Sequence, residues 1–313
     1  MNAQTEKNSD GFSREKEREG PLSIKTKVFY AFGEMPGAYM NLAIGSFLLI
    51  YYSVVLGASA AAISLVLGVA LFLDAICDPL VGAFSDQVKS RLGRRHPLMY
   101  AASIPMGVFI CLLFTPPQGL SATSLIVWLA FFLIMTRITF TFFSVPWSAL
   151  IAEFSDDYEQ RTVIASYRTL IGPLLGGISS TLILTFIFIG TPDIPKGQEN
   201  LENYNFFGPL IGSLMTGWAL LSTHFTRSEI PYLYQTRSTS SAGLAWMLSS
   251  IWLALKSRNY RILLVSMLVY FGVLGTLSQF DMFVNTYFWD LTAAQLGTCL
   301  LYTSDAADDV LCV

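Results

Sequence analysis

Two aspartates four residues apart, Asp74 and Asp78, lie near the end of an apolar run that begins near Ala60. Side chains at this spacing share one face of a helix. A charged side chain at the centre of a bilayer costs at least about 2.5–3.5 kcal/mol, so acidic residues in membrane-spanning helices are rare and mark functional pathways. The pair therefore predicts a site in which carboxylate oxygens bind a cation, carry a proton or pair with a basic side chain.

A basic side chain at the same depth is available for such pairing. Counted at 1.5 Å per residue from the expected outer ends of their runs, Asp74 lies at about 21 Å and Arg137 at about 22 Å. The same count places Asp78 level with Glu34, both at about 27 Å. Ser144 follows Arg137 on roughly the same helix face. We expect Asp74 to pair with Arg137, which leaves Asp78 as the better proton carrier because a nearby cation keeps Asp74 charged.

The elements that position these side chains are membrane-spanning helices. The chain has 313 residues, of which 53% are apolar and 13% charged, whereas soluble domains average about 25% charged residues. Apolar runs of about 20 residues, the length that crosses a bilayer, recur along the sequence. The predicted fold class is therefore an all-α polytopic membrane protein. The net charge of -3 suggests no nucleic-acid partner, and no motif indicates a cofactor or a metal other than a cation at the two aspartates.

Seven spans are predicted, separated by short turns and polar loops. They are 27–52, 60–84, 97–114, 122–151, 163–190, 206–225 and 260–283. A polar tail, 1–26, precedes the first span, and a Ser/Thr-rich linker, 226–259, comes after the sixth. Every Lys and Arg except Arg137 and Lys196 falls on one side of this arrangement. Because cytoplasmic loops are enriched in Lys and Arg, the N-terminus is predicted to be cytoplasmic.

The last stretch of the chain departs from this pattern. Residues 291–297 have the character of the start of an eighth helix, but the sequence after Thr298 turns acidic and cannot span a membrane. That sequence resembles a translated transposase-adapter read from a sequencing library. We expect 260–298 to begin a second helical bundle, residues 299–313 to be foreign, and the natural gene to continue. A genuine polar tail is the alternative.

Several motifs give the sequence a family resemblance. Asp-Pro-x-x-Gly-x-x-Ser-Asp at 78–86, followed by Arg-x-Gly-Arg-Arg at 91–95, resembles the loop signature of the major facilitator superfamily. Val-Pro-Trp-Ser-Ala-Leu at 145–150 and Asp-Asp-Tyr-x-x-Arg at 156–161 are similar to motifs of the glycoside–pentoside–hexuronide:cation symporters, such as the melibiose carrier. Animal sodium-dependent lysophospholipid carriers are similar as well. The resemblance covers about residues 28–281.

The resemblance implies a fold and a function. Such carriers have twelve helices in two bundles, with substrate bound between the bundles and moved by alternating access. This chain would hold the six-helix first bundle, 27–225, and a seventh helix. The implied function is a monomeric secondary transporter of the plasma (inner) membrane. It would couple the movement of a sugar or glycoside to Na⁺ or H⁺ without a cofactor.

The resemblance also implies roles for particular residues. Asp74 and Asp78 match the aspartate pair of the family's cation site, whereas Ser144 and Met35, the neighbour of Glu34, stand where the melibiose carrier has carboxylates. The candidates for cation binding are therefore Asp74, Asp78, Ser144 and Glu34. The candidates for substrate binding or charge pairing are Arg137, Arg168, Trp147 and Tyr39. The candidates for a cytoplasmic gate are Gly82, Asp86, Arg91, Gly93, Arg94, Arg95, Asp157 and Arg161.

Other interpretations are open at this point. The aspartates can serve only to hold helices together, and Arg137 can be only a structural counter-ion. A carrier of a lysophospholipid or another amphiphile has the same fold. A membrane-embedded enzyme is disfavoured, because the sequence lacks His-Glu-x-x-His and Gly-x-Ser-x-Gly motifs and contains only 2 His. A seven-helix receptor is disfavoured by the predicted cytoplasmic N-terminus.

Overall fold

The computed structural model describes residues 12–13, 18, 20–236, 253 and 255–303. Within these residues, 7 helices are long and apolar enough to cross a membrane, which confirms the predicted number of spans. They are α1 (Ile24–Val55), α2 (Ala60–Gln87), α3 (His96–Leu113), α4 (Ala122–Phe154), α5 (Tyr158–Phe186), α6 (Leu201–Tyr232) and α7 (Arg258–Phe288). A shorter helix, α8 (Ala293–Thr303), comes after them.

Polar caps make three helices begin earlier than their apolar runs predicted. The side chain of Ser23 accepts a hydrogen bond from a first-turn N–H of α1. Asp157 caps α5 by accepting from the N–H of Glu159, and Asn200 caps α6 in the same way. Because a capping side chain satisfies an otherwise unpaired N–H group, it stabilises a polar first turn. Hydrophobicity alone does not reveal such a turn.

The predicted linker and tail lie partly outside the described residues. The last turns of α6, Arg227–Tyr232, form a 3₁₀ helix, so the linker begins later than the predicted residue 226. Strand β1 (Phe12–Ser13) of the polar tail pairs antiparallel with strand β2 (Gln235–Thr236). Residues 237–252 and 254 are not described. At the other end, α8 continues to Thr303, residues 304–313 are not described, and foreign sequence from residue 299 stays a prediction.

Helix α1 is irregular where it borders the site. It contains a 3₁₀ turn at Phe32–Glu34 and π-helical segments at Asn41–Phe47 and Tyr51–Val55. Segments of π-helix are rare and are often found at functional sites. The first π segment lies midway along α1, so the middle of this helix presents side chains in directions that a regular helix would not.

Close helix contacts hold the six-helix bundle together. Helix α3 packs against α4 and α6, α2 packs against α4, and α1 packs between α5 and α6. A Cβ atom at Gly107 of α3 would lie only 2.4 Å from the carbonyl oxygen of Gly212 in α6. Small residues permit this close approach of membrane helices. The bundle therefore depends on close backbone contacts as well as on large apolar side chains.

Buried aromatic rings fill one end of the bundle, where α1 ends and α2 begins. Phe47 stacks on Phe188 and Tyr51 stacks on Tyr204, each with ring centroids 4.3 Å apart. The Tyr51 hydroxyl donates a hydrogen bond of 3.0 Å to the carbonyl oxygen of Phe114. We call this end the outer end of the bundle. The inner end is the opposite one, where α2 leads into the loop before α3.

Helices α7 and α8 lie against the face formed by α1 and α5. Helix α7 contacts the first π segment of α1, and α8 packs against α5. In the second contact the Thr181 hydroxyl donates to the carbonyl oxygen of Gly297 at 2.7 Å. Side chains along most of α7 are exposed. These two helices therefore add a second layer to one side of the six-helix bundle.

Candidate functional site

Arg137 and Asp74 form the ion pair that the depth count predicted. Nη1 of Arg137 in α4 lies 2.8 Å from Oδ2 of Asp74 in α2. The two side chains are only 13% and 21% exposed, so each charge has lost much of its hydration and depends on the other for compensation. The pair joins α2 to α4 well inside the predicted membrane region.

Thr141, one turn along α4 from Arg137, connects the two aspartates. Its buried hydroxyl oxygen lies 3.1 Å from Oδ1 of Asp74 and 3.1 Å from Oδ1 of Asp78. A hydroxyl has a single donor hydrogen, so it can donate to only one of two ionised carboxylates. The second contact is satisfied when one carboxyl is protonated or when a cation lies between the oxygens. The aspartate cluster, Asp74, Asp78, Thr141 and Arg137, is therefore suited to gain and lose one positive charge.

Sequence reasoning missed Thr141 and named Ser144 instead. Among the described contacts, the hydrogen bonds to the aspartates come from Thr141 and Arg137, and Ser144 makes none. Arg137 and Thr141 are four residues apart, as are Asp74 and Asp78. Two facing helices with the same one-turn spacing bring both residues of each pair into contact. The matched spacing of the two pairs was the signal that could have identified Thr141. Ser144 lies three residues after Thr141, toward the inner end of α4.

Glu34, a predicted cation-binding residue that the depth count placed level with Asp78, lies in a different cluster from the two aspartates. In the described part of the chain it pairs with Arg168 of α5, not with Asp78. The guanidinium of Arg168 also lies 4.5 Å from the ring centroid of Trp147. Trp147 in turn donates a 3.0 Å hydrogen bond from Nε1 to the carbonyl oxygen of Tyr30. Depth along a helix does not specify the direction in which a side chain points, and here that direction determines the partner.

Two glycines allow α1 to approach α4 and α5 at this point. A Cβ atom at Gly172 would lie 2.6 Å from Cγ of Glu34, and one at Gly33 would lie 2.0 Å from Nε1 of Trp147. Neither distance is possible for a real side chain. The absence of side chains at these positions therefore creates the space for the Arg168 cluster, which we define as Glu34, Arg168 and Trp147.

A cavity of about 1090 Å³ connects the two clusters. It lies between α1, α4 and α5, and its wall includes Arg137, Arg168 and Glu34. Phe140 contributes an aromatic ring to the wall. The uncharged polar side chains of the wall include Asn41, Ser46, Thr169 and Ser180. Pockets that combine apolar surface with a few convergent polar groups are typical of small-molecule sites, so this cavity is the candidate substrate site.

Tyr39 and Trp147, the aromatic residues predicted to contact substrate, belong to the buried core. Tyr39 is 2% exposed and Trp147 is 3% exposed, and the cavity wall contains neither of them. Trp147 contributes indirectly, because its ring supports the guanidinium of Arg168. Arg137, Arg168 and Glu34 were predicted site residues and do line the cavity, whereas Phe140 and Asn41 line it and were not predicted. Asn41 begins the π segment, whose geometry the sequence pattern does not announce.

Four charged side chains at the inner end, three of them buried, tie α2 to α4. Nη1 of Arg94 and Nη2 of Arg95 lie 3.3 Å and 3.2 Å from Oδ1 of Asp86. Both arginines also pair with Glu153 of α4, Arg94 at 2.7 Å. Glu153 is buried and was missed by sequence reasoning, although a lone carboxylate directly after an apolar run is a usable signal. We call these four residues the inner charge cluster.

The remaining gate candidates lie outside this cluster. Asp157 caps α5, and Arg161 donates to two carbonyl oxygens at the end of α4, at 2.7 Å and 3.2 Å. Both therefore stabilise the turn between α4 and α5. Gly93 has a φ of 73°, which glycine adopts without strain. Gly82 faces α4 at ordinary contact distance, and Arg91 is exposed. A gating role for these residues stays a prediction.

The fold and the site together define an integral multi-pass membrane protein with paired charges and a polar cavity among its first six helices. The chain belongs to the family described as MFS/sugar transport protein, whose model matches residues 29–305. This membership confirms the predicted resemblance to the major facilitator superfamily. Because it is a family of transport proteins, the membrane-enzyme alternative is set aside.

Similar proteins carry the names of symporters and transporters. The chain is 27% identical over 220 residues to the putative glycoside/cation symporter YagG of Escherichia coli (strain K12), which covers 70% of this chain and 46% of that protein. It is 33% identical over 230 residues to sodium-dependent lysophosphatidylcholine symporter 1 of Xenopus tropicalis, with 73% and 40% covered. It is 26% identical over 144 residues to the isoprimeverose transporter of Lactiplantibacillus pentosus, with 46% and 30% covered. The chain spans less than half the length of these relatives.

Proposed function

We propose that this chain forms the first half of a secondary transporter that couples the movement of a sugar or glycoside to Na⁺ or H⁺. The proposal rests on the position of Arg137, which belongs both to the aspartate cluster and to the cavity wall. Coupling requires that each solute change the affinity for the other. Because Arg137 belongs to both the aspartate cluster and the cavity wall, a cation bound at the first can change the affinity of the second for substrate.

The competition for donors within the aspartate cluster suggests how the coupling works. Without an added cation, the two carboxylates compete for the single hydrogen of Thr141, and Asp74 depends on Arg137 for compensation of its charge. A proton on Asp78, or a Na⁺ ion between the oxygens, relieves this competition by adding one positive charge. Arg137 can then direct more of its N–H donors toward substrate oxygens in the cavity. Substrate binding and cation binding would therefore favour each other.

The chemistry of the cavity wall supports a sugar or glycoside as the substrate. The amide of Asn41 and the hydroxyls of Ser46 and Ser180 offer both donors and acceptors. The ring of Phe140 offers an apolar surface beside them. A sugar presents the same combination of hydroxyl groups and apolar C–H faces. The names of the glycoside/cation symporter and the isoprimeverose transporter point to the same class.

A carrier of a lysophospholipid or a similar amphiphile is the second candidate. The 33% identity to a sodium-dependent lysophosphatidylcholine symporter favours it. Guanidinium groups bind phosphate well, and both Arg137 and Arg168 line the cavity. The two candidates predict different substrates for one site, so a single panel of sugars, glycosides and lysophosphatidylcholine distinguishes them.

Asp78→Asn tests the coupling, because it keeps the shape of the side chain and removes its charge. We expect vesicles with the protein from the complete gene to exchange substrate in counterflow whether they carry the parent or the variant. Only the parent should accumulate substrate against its gradient. Substrate affinity should rise with Na⁺, or vary with pH, in the parent and stay constant in the variant. Asp193→Asn makes the same change in an exposed loop and should behave as the parent does.

Two results would contradict the proposal. Uphill accumulation by Asp78→Asn would show that the charge at this position is not needed for coupling. Failure of the parent to exchange any member of the panel would reject a carrier of sugars, glycosides or lysophosphatidylcholine. Counterflow of lysophosphatidylcholine alone would select the second candidate.

A further inference from the structure

Lys196, in the loop between α5 and α6, docks onto the outer end of α7. Its Nζ donates a hydrogen bond of 2.7 Å to the carbonyl oxygen of Thr286 and lies 2.8 Å from Oδ1 of Asp290. The same ammonium lies 5.0 Å from the ring centroid of Tyr287. The last carbonyl groups of a helix lack partners within the helix, and a positive charge there is favourable. Lys196 therefore supplies α7 with a cap that comes from the first bundle.

A second, buried contact lies beside the first. Nε2 of Gln198 donates to the hydroxyl oxygen of Thr286 at 3.0 Å, and both side chains are fully buried. Gln198 also reaches the carbonyl oxygen of Leu291, at 3.5 Å, in the turn that comes after α7. Lys196 and Gln198 thus contact both the last turn of α7, at Thr286, and the turn that comes after it, at Asp290 and Leu291.

Hydrogen bonds from α6 hold the loop that carries Lys196 and Gln198. The hydroxyl of Tyr204 donates to the carbonyl oxygen of Gln198 at 2.7 Å, and Asn203 donates to that of Gly197 at 2.8 Å. A Cβ atom at Gly197 would lie 1.9 Å from the carbonyl oxygen of Phe188, so the loop packs directly against the backbone at that residue. The first bundle therefore holds Lys196 and Gln198 in fixed positions.

The α7 side of the contact has an unusual backbone. The helix ends in the π segment Val284–Phe288, and Asp290 has a φ of 55°. This left-handed conformation is uncommon for a residue with a side chain, although aspartate tolerates it better than most. It directs the Asp290 carboxylate to the Lys196 ammonium. The contact therefore depends on local backbone geometry at the end of α7 as well as on the loop that carries Lys196.

We propose that Lys196, Gln198, Thr286 and Asp290 form an outer latch, which holds α7 against the first bundle and closes the cavity at its outer end. The inference deepens the proposed function, because alternating access requires one end of the cavity to close while the other opens. When the latch breaks, α7 loses its cap and no longer covers residues 41–50 of α1, part of which line the cavity. Reagents on the outer side then reach the cavity wall.

The test measures how fast an impermeant thiol reagent, added on the outer side, reacts with Ser46→Cys in the cavity wall. The same chain without Ser46→Cys reports the reaction of the native cysteines and is subtracted. Adding Lys196→Glu places a carboxylate beside Asp290 and the Thr286 carbonyl. We expect it to raise the labelling rate about fivefold or more by shifting the population toward the open form. Lys196→Arg keeps the charge and the donors and should label at nearly the parental rate.

Two controls keep the latch falsifiable. Lys89→Glu makes the same charge change in an exposed loop at the inner end, and we expect no rise in labelling. If Lys196→Glu reduces folded protein, the exchanged pair Lys196→Glu with Asp290→Lys should return the labelling rate toward the parental value. An unchanged rate in Lys196→Glu, or an equal rise in Lys89→Glu, would overturn the latch. The labelling assay requires no substrate. A labelling result that contradicts the latch would therefore leave the transport proposal intact, and a failed transport assay would leave the latch intact.

Discussion

A single ion pair, Arg137 with Asp74, makes the clearest energetic prediction at the scale of the residue. Both charges are largely withdrawn from water, so loss of either partner leaves the other uncompensated. Removing one partner of such a pair costs about 3–5 kcal/mol, whereas replacing both with apolar residues can be nearly neutral. We expect Arg137→Leu and Asp74→Leu each to lower the thermal unfolding temperature in detergent, and the double variant to recover most of the loss.

The control for this cycle is Arg91→Leu, which removes a similar charge from an exposed loop position. It should change the unfolding temperature little. If the decreases in unfolding temperature of the two single variants simply add in the double variant, Arg137 and Asp74 do not stabilise each other, and the ion pair contributes nothing to stability.

For individual residues, the sequence predicted the contact that depends only on depth in the membrane. It missed the contacts that depend on the direction in which a side chain points. Counting along the helices found the Arg137–Asp74 pair, because two charges at one depth in a membrane have few other partners. The same count placed Glu34 at the depth of Asp78, but depth did not reveal that the side chain of Glu34 pairs with Arg168 on another helix. Thr141 was missed because an uncharged hydroxyl in an apolar helix is common and gives no signal until its neighbours are known.

At the scale of the element, the contact between α1 and α5 is closest at Gly172, where no side chain is present. Gly172 and Gly177 both lie on α5 and both line the cavity. A Cβ atom at Gly172 would lie 2.6 Å from Cγ of Glu34, whereas one at Gly177 would meet no atom within 4 Å. The first contact involves the base of the Glu34 side chain, so the helices must separate to relieve it.

We expect Gly172→Ala to destabilise the protein by about 1–3 kcal/mol, the usual cost of forcing extra atoms into a close contact. Gly177→Ala should be neutral or stabilise by up to about 1 kcal/mol, since alanine favours the helix over glycine. Chemical or thermal unfolding of the two variants in the same detergent provides the comparison. Equal effects of the two substitutions would show that the α1–α5 contact is looser than the structure indicates.

Sequence reasoning found the number and order of these helices but not their local geometry. Apolar runs identify spans because the bilayer demands about 20 apolar residues. Caps such as Asp157 and Asn200 extend α5 and α6 by a polar turn. No residue type in the π segment at Asn41–Phe47 is diagnostic of that geometry. The cavity wall therefore contains Asn41 and not the predicted Tyr39.

At the scale of the whole molecule, charged groups mark three levels of one bundle. The inner charge cluster fixes the ends of α2 and α4, the aspartate cluster lies midway, and Lys196 lies at the outer end. The inner charge cluster, through Glu153, joins α2 to α4 within the first bundle, whereas Lys196 joins that bundle to α7. The inner contacts therefore stabilise the bundle itself, and the outer contacts connect the bundle to its neighbouring helix.

This arrangement also predicts the orientation of the protein in its membrane. Lys89, Arg91, Arg94 and Arg95 lie together in the loop between α2 and α3, at the end opposite to Lys196. Because short loops rich in Lys and Arg stay in the cytoplasm, we expect the inner end and the N-terminus to be cytoplasmic.

Ser90 is exposed in the loop between α2 and α3, and Asp193 is exposed in the loop of the outer end. Ser90→Cys should react with an impermeant maleimide only after the cells are opened, whereas Asp193→Cys should react in intact cells. The parent chain measures the background from the native cysteines, and labelling of Ser90→Cys in intact cells would reverse the orientation.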